Sequence, residues 1–361
     1  MIKNESEVRA MGFFLGLNDD LESVAKFVES NSRNWQAYND AQTQEKLWFL
    51  DLLGDLTSQI EFEQRGGKGR PQADLREMVF SCVSKVYEDL SSRRATSDLE
   101  IASRRGYLTH VPHFNTVLKF LNEPELTPIL TKLIEASALP LRDFENTFAI
   151  DATGLSSAFY SRWFDHRFGK VDEETKKKHD WIKVHLICGV KTHIVTSIVV
   201  TDGHASDFPQ FPVLLENTVK KFKVRAICGD LGYSSRKNIQ TAWNLGAIPL
   251  IPFKSNATGK SRGSNAWHRM YYYFKFHQEE FMTQYHQRSN VESTFSQLKR
   301  KFQGKLMLKN KIGQVNEALC KVLCHNICVL IAEAHKNNFK IDLASCTQNS
   351  APAHKIQETT H

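Results

Sequence analysis

The residues best suited to chemistry in this sequence lie between positions 285 and 299. If that segment is a helix, which turns by about 100° per residue, one narrow stripe carries Tyr285, Arg288, Glu292 and Lys299. One acid flanked by two cations and a phenol suits a site that holds a metal ion beside a phosphodiester. The competing interpretation is an amphipathic helix whose charged face forms ordinary salt bridges.

Two aspartates favour the first interpretation, because they occur where such a site needs further carboxylates. Asp151 follows the apolar run 148–150, and Asp230 ends a second apolar run that begins at Val224. Each pattern is typical of a buried strand with a functional acid at its tip. Ligands gather at the carboxyl ends of strands in open α/β sheets. We therefore expect Asp151 and Asp230 to meet there if their strands are adjacent and parallel, with Glu292 closing the set.

Three carboxylates in one place repel one another and raise one another's pKa values, and a divalent cation removes that conflict. Ligation by oxygen alone is what Mg²⁺ and Mn²⁺ prefer. Two such ions about 3.5–4 Å apart can activate a water or a 3′-hydroxyl and stabilise the leaving oxygen of a phosphodiester. The three acids therefore predict two-metal phosphoryl transfer.

The elements that must position these acids change in type near Pro140. Before that point, apolar residues recur at spacings of three and four, and Ser97 or Asp98 is expected to cap a helix. This periodicity predicts helices at 46–60, 74–90 and 114–121. After it, apolar runs predict strands at 148–151, 183–190, 194–201, 224–230 and 248–252, and helices at 208–222 and 236–245. Two prolines place the last strand at a sheet edge.

Basic, glycine-containing loops lie in both halves of the chain. One loop carries Arg65, Lys68 and Arg70, and the other carries Lys260 and Arg262. Lys and Arg in such loops are the usual contacts to DNA phosphates, and short helices with basic turns are compatible with a helix-turn-helix DNA reader. Solvated turns of a helical bundle explain the first loop equally well.

The predicted fold class is α/β. Three antiparallel strands followed by parallel strands, with helices on the faces, form the ribonuclease-H-like architecture. An all-α region is predicted at 1–140 for DNA binding or oligomerisation, and a catalytic domain at 141–335. A short basic insertion at about 254–270 lies within that domain, and 336–361 is predicted to be a polar tail.

Composition adds weaker constraints. The net charge of +7 is compatible with a polyanionic partner. The polar N-terminus is no secretory signal, and no apolar run approaches the length of a membrane span, so we expect a cytoplasmic protein. Of the seven cysteines, Cys320, Cys324 and Cys328 are spaced by four among apolar residues, which predicts a core helix rather than a metal site.

The chain resembles bacterial and archaeal insertion-sequence transposases of the DDE type, in the branch with a Tyr–Arg–Glu–Lys signature. The four residues at 285, 288, 292 and 299 match the gaps of two, three and six residues in that signature. The segment 230–233 is similar to the Asp-x-Gly-Tyr box of the family, and 151–153 is similar to the setting of its first acid. The resemblance extends from about 148 to 330.

The resemblance implies a role for each of these residues. Asp151, Asp230 and Glu292 would be catalytic and would ligate two Mg²⁺ ions, or Mn²⁺ in their place. The predicted DNA-contact residues are Tyr285, Arg288, Lys299, Tyr233, Arg65, Lys68, Arg70, Lys260 and Arg262. The implied partners are double-stranded DNA, at the transposon ends and the target, and further copies of the chain. The implied location is the prokaryotic cytoplasm, at the nucleoid.

Two features limit what the resemblance implies. Glu292 follows Asp230 by 62 positions, which leaves no room for the large β-rich insertion of some relatives, so a hairpin mechanism that depends on it is not expected. Asp202, His204 and Asp207 are interpreted as turn and cap residues at the opposite end of an antiparallel strand. Two alternatives stay open: a related nuclease without strand transfer, and a catalytically silent DNA-binding repressor of transposition.

Overall fold

The first described part of the chain is helical. The computed structural model describes residues 34–61, 73–156 and 181–343. Among these residues, five α-helices precede the sheet: α1 (Trp35–Ser58), α2 (Leu75–Tyr87), α3 (Thr96–Arg104), α4 (Phe114–Leu121) and α5 (Leu126–Ala138). The three predicted helices of this region are confirmed, although α1 begins well before residue 46. The predicted cap of α3 is wrong: Ala95 precedes that helix without a side-chain hydrogen bond, and Asp98 instead accepts from Lys46 Nζ at 2.9 Å.

A five-stranded mixed sheet follows. Its strands are β1 (Thr147–Ser156), β2 (Trp181–Gly189), β3 (Val195–Asp202), β4 (Ala226–Gly229) and β5 (Ile248–Leu250), in the spatial order β3-β2-β1-β4-β5. The pairs β1–β2 and β2–β3 are antiparallel, and β1–β4 and β4–β5 are parallel. This is the predicted ribonuclease-H-like arrangement, with β5 at an edge as its prolines require.

The remaining helices alternate with the later strands and then close the fold. They are α6 (Gln210–Val219), α7 (Arg236–Asn244), α8 (Asn265–Phe276), α9 (Gln278–Tyr285), α10 (Ser289–Phe302) and α11 (Lys311–Asn337). The segment between β5 and α8 contains no strand. The predicted short basic insertion is therefore an irregular loop, and the fold carries no β-rich insertion between the second and third acids.

Helix α11 joins the helical region to the sheet. It packs against α1, α2 and α5 and also contacts α10, β2 and β3. Cys320 and Cys324 are buried in it and Cys328 is half-buried, and burial raises the pKa of the Cys328 thiol to about 12. The core interpretation of these cysteines is confirmed, because buried thiols in an apolar setting stay protonated.

The expectation that no apolar run approaches a membrane span was wrong for α11. This helix of 27 residues is long and apolar enough to cross a membrane, but 83% of its most apolar window is buried inside the protein. The sequence of α11 is this apolar because the helix is covered by protein on nearly all sides, as the central helix of a core must be.

Candidate active site

Asp151 lies in the middle of β1, at the point where that strand loses one of its two neighbours. Ile150 pairs with Gly229, the last residue of β4, whereas β1 stays paired with β2 as far as Ser156. The prediction that Asp151 ends its strand was therefore wrong, because pairing with β2 continues the strand for five more residues. Asp151 nevertheless lies beside the end of β4, because the side of β1 that faced β4 is open beyond Ile150.

The environment of Asp151 makes its carboxylate unusually basic. Burial raises its pKa to about 6, opposed by a hydrogen bond from the Ala152 N–H to Oδ1 at 2.8 Å. The negative charge of Asp230 raises this pKa further, Arg288 lowers it, and Glu292 raises it again. Asp230 and Glu292 are thus close enough to Asp151 for their charges to affect its ionisation.

Asp230 is held by a tight turn at the end of β4. It is the first residue after that strand and caps a 3₁₀ turn at Leu231–Tyr233, where the N–H of Gly232 donates to Asp230 Oδ1 at 2.9 Å. A Cβ added at Gly232 would lie 3.0 Å from that same carboxylate oxygen. The Asp-x-Gly pattern therefore has a local reason, because any larger residue would crowd the acid.

Arg288 joins the first and third acids. Its Nη2 lies 2.5 Å from Glu292 Oε1, and its Nη1 lies 3.5 Å from Asp151 Oδ2. The side chain of Glu292 is 58% exposed, whereas those of Arg288 and Asp151 are each 22% exposed. One guanidinium therefore bridges a recessed carboxylate on the sheet and an open carboxylate on the helix above it.

The polar stripe is not carried by the single continuous helix that the spacing predicts. A 3₁₀ turn at His286–Arg288 separates α9 from α10. Each residue of a 3₁₀ turn advances by about 120° rather than 100°, so side chains three positions apart are eclipsed and Tyr285 lies on the same side of this turn as Arg288. Tyr285 still stacks on Phe281 at 6.1 Å, and burial raises the pKa of its phenol.

Lys299 extends the site along β1. Its Nζ donates to Thr153 Oγ1 at 2.6 Å, and burial lowers the pKa of the ammonium group. Thr153 is two residues beyond Asp151 and so points to the same face of the strand. Thr153 was not predicted as a site residue, although the period of two in a strand was sufficient to place it there.

An apolar stripe fixes α10 on the sheet. Helix α10 contacts β1 and β2, and its four buried apolar residues are Val291, Phe295, Leu298 and Phe302. Because they are out of phase with Arg288, Glu292 and Lys299, their burial directs the polar residues to one side of the sheet.

Tyr233 does not meet the expectation of a DNA contact. Its side chain is completely buried and packs on Phe211 at 6.0 Å. Burial, followed by the charges of Asp151, Asp207 and Asp230, raises its pKa. No described residue hydrogen-bonds to its hydroxyl. The tyrosine of the Asp-x-Gly-Tyr box therefore packs behind the site, and the sequence could not show this because a turn residue is usually exposed.

The interpretation of Asp207 as a cap at the far end of the sheet was wrong. Ile182 pairs with both Leu155 and Asp202, so β3 ends at the same end of the sheet as β1. Pro209 precedes α6 without a side-chain cap, and Asp207 Oδ1 instead lies 2.5 Å from Lys183 Nζ.

A buried polar cluster thus lies behind the candidate site. Asp207 Oδ1 is 3.4 Å from His185 Nδ1, and His185 Nε2 is 2.8 Å from Thr201 Oγ1. Burial lowers the pKa of His185 to about 4. His185 pairs with Ala152 and so faces away from the side that carries Asp151. The sequence signal that was overlooked is a pair of basic residues, at 183 and 185, inside an otherwise apolar strand.

Asp202 and His204, which were also interpreted as turn and cap residues, do lie in a turn. The N–H of Ala205 donates to the carbonyl of Asp202 at 3.0 Å, and the ring of His204 packs on Trp181 at 5.1 Å. The exposed carboxylate of Asp202 lies 3.4 Å from Lys311 Nζ. Neither residue reaches the acids described above.

The predicted DNA-contact residues in loops divide into two groups. Lys260 and Arg262 are exposed in the loop before α8, and Arg236 Nη2 donates to the carbonyl of Lys260 at 3.2 Å. Arg65, Lys68 and Arg70 lie outside the described residues.

The sequence comparison agrees with this geometry. Residues 142–327 match the family model described as a transposase DDE domain, which is just over half of the chain. The chain belongs to the DDE transposase family. No solved structure matches it. The range of the DDE domain includes β1 to β5, all three acids and the four residues of the signature.

In this DDE transposase domain, Arg288 occupies the third of the three acids. Within the described ranges 34–61, 73–156 and 181–343, no group of three or more His, Cys, Asp or Glu residues is arranged to hold a metal ion. Asp151 and Asp230 provide the hard oxygen donors that Mg²⁺ and Mn²⁺ prefer. The donor set therefore fits such an ion chemically, but Glu292 is engaged by Arg288.

Proposed function

We propose that this DDE transposase cleaves the ends of its own insertion sequence and joins them to target DNA. The observation that carries the proposal is the register of β1 and β4, which brings Asp151 beside Asp230 where β4 ends and β1 continues. The contact of Arg288 with both Asp151 and Glu292 supports the inclusion of the third acid.

We assign the metal-binding role to Asp151, Asp230 and Glu292. Two Mg²⁺ or Mn²⁺ ions held by these carboxylates would activate the attacking oxygen and stabilise the leaving oxygen at phosphorus. The raised pKa of Asp151 supports this assignment: burial raises it most and the charges of Asp230 and Glu292 raise it further, and a nearby cation would offset both effects. The protein itself supplies the fixed orientation of the carboxylates through the Ala152 and Gly232 N–H groups.

Arg288, Lys299 and Tyr285 would hold the DNA backbone beside the acids, as in the branch with the Tyr–Arg–Glu–Lys signature. The guanidinium fork of Arg288 matches two phosphate oxygens as well as it matches two carboxylates. We expect an incoming phosphate to draw Arg288 away from Glu292 and so to release that acid for ligation. Substrate binding would then complete the site.

The wider organisation of the protein follows from this proposal. The helical region at 1–140 would bind DNA or mediate self-association, the part at 141–335 would carry the chemistry, and 336–361 would form a tail. Its partners would be double-stranded DNA and further copies of the chain. The protein would act in the prokaryotic cytoplasm, at the nucleoid.

The decisive experiment uses DNA that carries the inverted repeats bracketing the reading frame of this protein, with a target plasmid and Mg²⁺ or Mn²⁺. We expect the full-length protein to nick the repeat ends and to form joined product. Asp151→Asn, Asp230→Asn and Glu292→Gln should each abolish both products while DNA binding survives. Asp202→Asn is the matched control, because this exposed aspartate is at the same end of the sheet but outside the acid set.

The same experiment separates the alternatives. Nicking without joined product would identify a related nuclease that lacks strand transfer. Binding without any nicking in Mn²⁺ would identify a silent repressor. Retained strand transfer in one of the three acid variants would exclude that acid from the proposed set.

A further inference from the structure

The basic excess of the chain is concentrated in one segment. Positions 231–278 contain seven Lys or Arg residues and no Asp or Glu, while the whole chain has a net charge of +7. The rest of the chain is therefore close to neutral. The same segment contains nine aromatic residues. Interleaved cations and rings are typical of surfaces that bind single-stranded nucleic acid.

Three rings form a column on the exposed side of α8. We call His268, Tyr272 and Phe276 the aromatic ladder. Tyr272 packs edge-on against His268 at 4.8 Å and lies parallel to Phe276, with 5.8 Å between ring centroids and 6° between ring planes. Phe276 is 69% exposed and Tyr272 is 41% exposed. The ladder therefore presents flat apolar surface to solvent at a spacing of four residues.

The opposite side of α8 already supplies the core contacts of this helix. Trp267 and Met270 are buried, and Phe253 contacts both Trp267 at 4.7 Å and Phe274 at 5.6 Å. The ladder is thus not needed to attach α8 to the protein. Exposed large rings in a row point to a binding partner.

Cations surround the ladder. A Cβ added at Gly259 would lie 2.9 Å from Tyr272 Cε2, so the basic loop runs against that ring and Lys260 follows immediately beside it. Arg269 projects from α8 over the ring of Trp243, with 5.6 Å from its Cζ to the ring centroid, and Trp243 is itself 37% exposed. Lys275 is exposed and directly precedes Phe276 in the sequence.

Helix α8 is connected to the candidate active site through packed rings on its core side. Phe281 on α9 contacts Phe274 at 5.0 Å and Tyr285 at 6.1 Å. Tyr285 ends α9, and Arg288 follows one 3₁₀ turn later. A strand of DNA held on α8 would therefore lie on the same structural unit as the residues assigned to phosphate binding.

We propose that the aromatic ladder and its flanking cations bind single-stranded DNA, with unpaired bases stacked on Tyr272 and Phe276. The cations Lys260, Arg262 and Arg269 would hold its phosphates. This inference rests on the proposed function only in that the DNA is the strand being processed. A protein partner fits less well, because the centres of protein interfaces are depleted in lysine, whereas a segment with seven cations and no acid complements a polyanion.

The test compares the binding of a single-stranded dT20 oligonucleotide and a 20-base-pair duplex to the full-length protein in EDTA, at one salt concentration. We expect Tyr272→Ala with Phe276→Ala to weaken single-strand binding by roughly fivefold or more, because stacking contributes strongly per base. Duplex binding should change by less than about twofold. Tyr272→Phe with Phe276→Tyr should restore single-strand binding, since both rings are kept.

Two further variants make the result specific. Phe208→Ala removes a ring that is 47% exposed before α6, where positions 203–219 contain no Lys or Arg, and should leave both affinities unchanged. Lys260→Ala should weaken binding to both DNAs, because phosphate contacts do not distinguish bases. Because EDTA removes catalysis from the readout, a failed cleavage experiment would leave this result standing.

Two outcomes would overturn the inference. The ladder variant could bind dT20 as tightly as the wild type, or it could lose single-strand and duplex binding equally. A change in oligomeric state with unchanged dT20 affinity would instead identify the ladder as a contact between copies of the chain.

Discussion

At the scale of single residues, the behaviour of the site depends on the ionisation of Asp151. Its pKa lies near 6, above the ordinary value of 3.8, chiefly because the carboxylate is buried. A carboxylate must lose its proton before it can ligate a cation. We therefore predict that the cleavage rate rises with pH through about 6 and then levels off, measured as single-turnover rates between pH 5 and 8. A rate that is flat across this range would contradict the assignment.

Arg288 should control that pH dependence, because its positive charge lowers the pKa of Asp151. We predict that Arg288→Ala moves the rise in cleavage rate to higher pH, besides lowering the maximum rate. Arg288→Lys should keep the rise near the pH of the wild type but lower the maximum rate, since a lysine retains the positive charge but loses the guanidinium fork. An unchanged pH profile for Arg288→Ala would show that Arg288 acts on DNA alone.

The same residue links function to stability. A raised carboxyl pKa means that the folded protein favours the protonated form, so the free energy of unfolding falls as pH rises from about 4 through about 6. Asparagine cannot lose a proton. We predict that Asp151→Asn unfolds at higher denaturant concentration than the wild type at pH 7.5, by about 2 kcal/mol, and that this difference vanishes near pH 4. Equal stability at both pH values would contradict the buried, repelled state of Asp151.

The spacing of site residues was predictable at this scale, but their contacts were not. The four positions at 285–299 and the two aspartates after apolar runs are visible in the sequence. That Arg288 bridges two acids, or that Tyr233 is buried, depends on side-chain directions set by distant elements. Local sequence carries no information about the α6 side chains that enclose Tyr233.

At the scale of elements, the cluster of Lys183, His185 and Asp207 holds the loop after β3 against β2. The side chain of Lys183 is 8% exposed, and its ammonium lies 2.5 Å from the Asp207 carboxylate and donates to the carbonyl of Ala205 at 3.2 Å. A buried charge that loses its partner is strongly destabilising.

We predict that Asp207→Ala lowers the free energy of unfolding by about 2–4 kcal/mol, measured by urea denaturation. Lys183→Met combined with Asp207→Leu should recover most of that loss, because both charges are then removed together. Additive losses in the double variant would show that the two side chains are not coupled in solution.

The order of elements was predictable and their lengths were less so. Alternating apolar runs, turns and the edge prolines were sufficient to place all five strands. The continuation of β1 beyond Asp151 was missed, because Ala152, Thr153 and Gly154 are neither strongly apolar nor strong strand formers as a group. Pairing with β2, a long-range contact, decides where that strand ends.

At the scale of the whole molecule, α11 unites the helical region with the sheet. It packs on α1, α2 and α5, and Glu45 of α1 contacts both Lys301 of α10 and Tyr87 of α2, the latter at 2.7 Å. The buried apolar residues of both parts form one cluster. The predicted boundary at about residue 140 therefore separates two functional regions, not two parts that we expect to fold independently.

This continuity leads to a prediction about truncation. A fragment that begins at residue 141 would expose the faces of α11 and α10 that α1, α2 and α5 cover. We expect that fragment to aggregate or to bind the dye ANS, and to lack the near-ultraviolet circular dichroism of the full chain. A soluble fragment with native-like dichroism would show that the catalytic part folds alone.

We expect Asp151, Asp230 and Glu292 to share metal ions once DNA is bound, and counting those ions tests this expectation most directly. Mn²⁺ can be titrated into the full-length protein with a cut transposon end bound, with its binding followed by calorimetry and electron paramagnetic resonance. We predict two tightly bound ions for the wild type and for Asp202→Asn, and weaker or fewer ions for Asp151→Asn, Asp230→Asn and Glu292→Gln. Unchanged Mn²⁺ number and affinity in any of those three variants would contradict it.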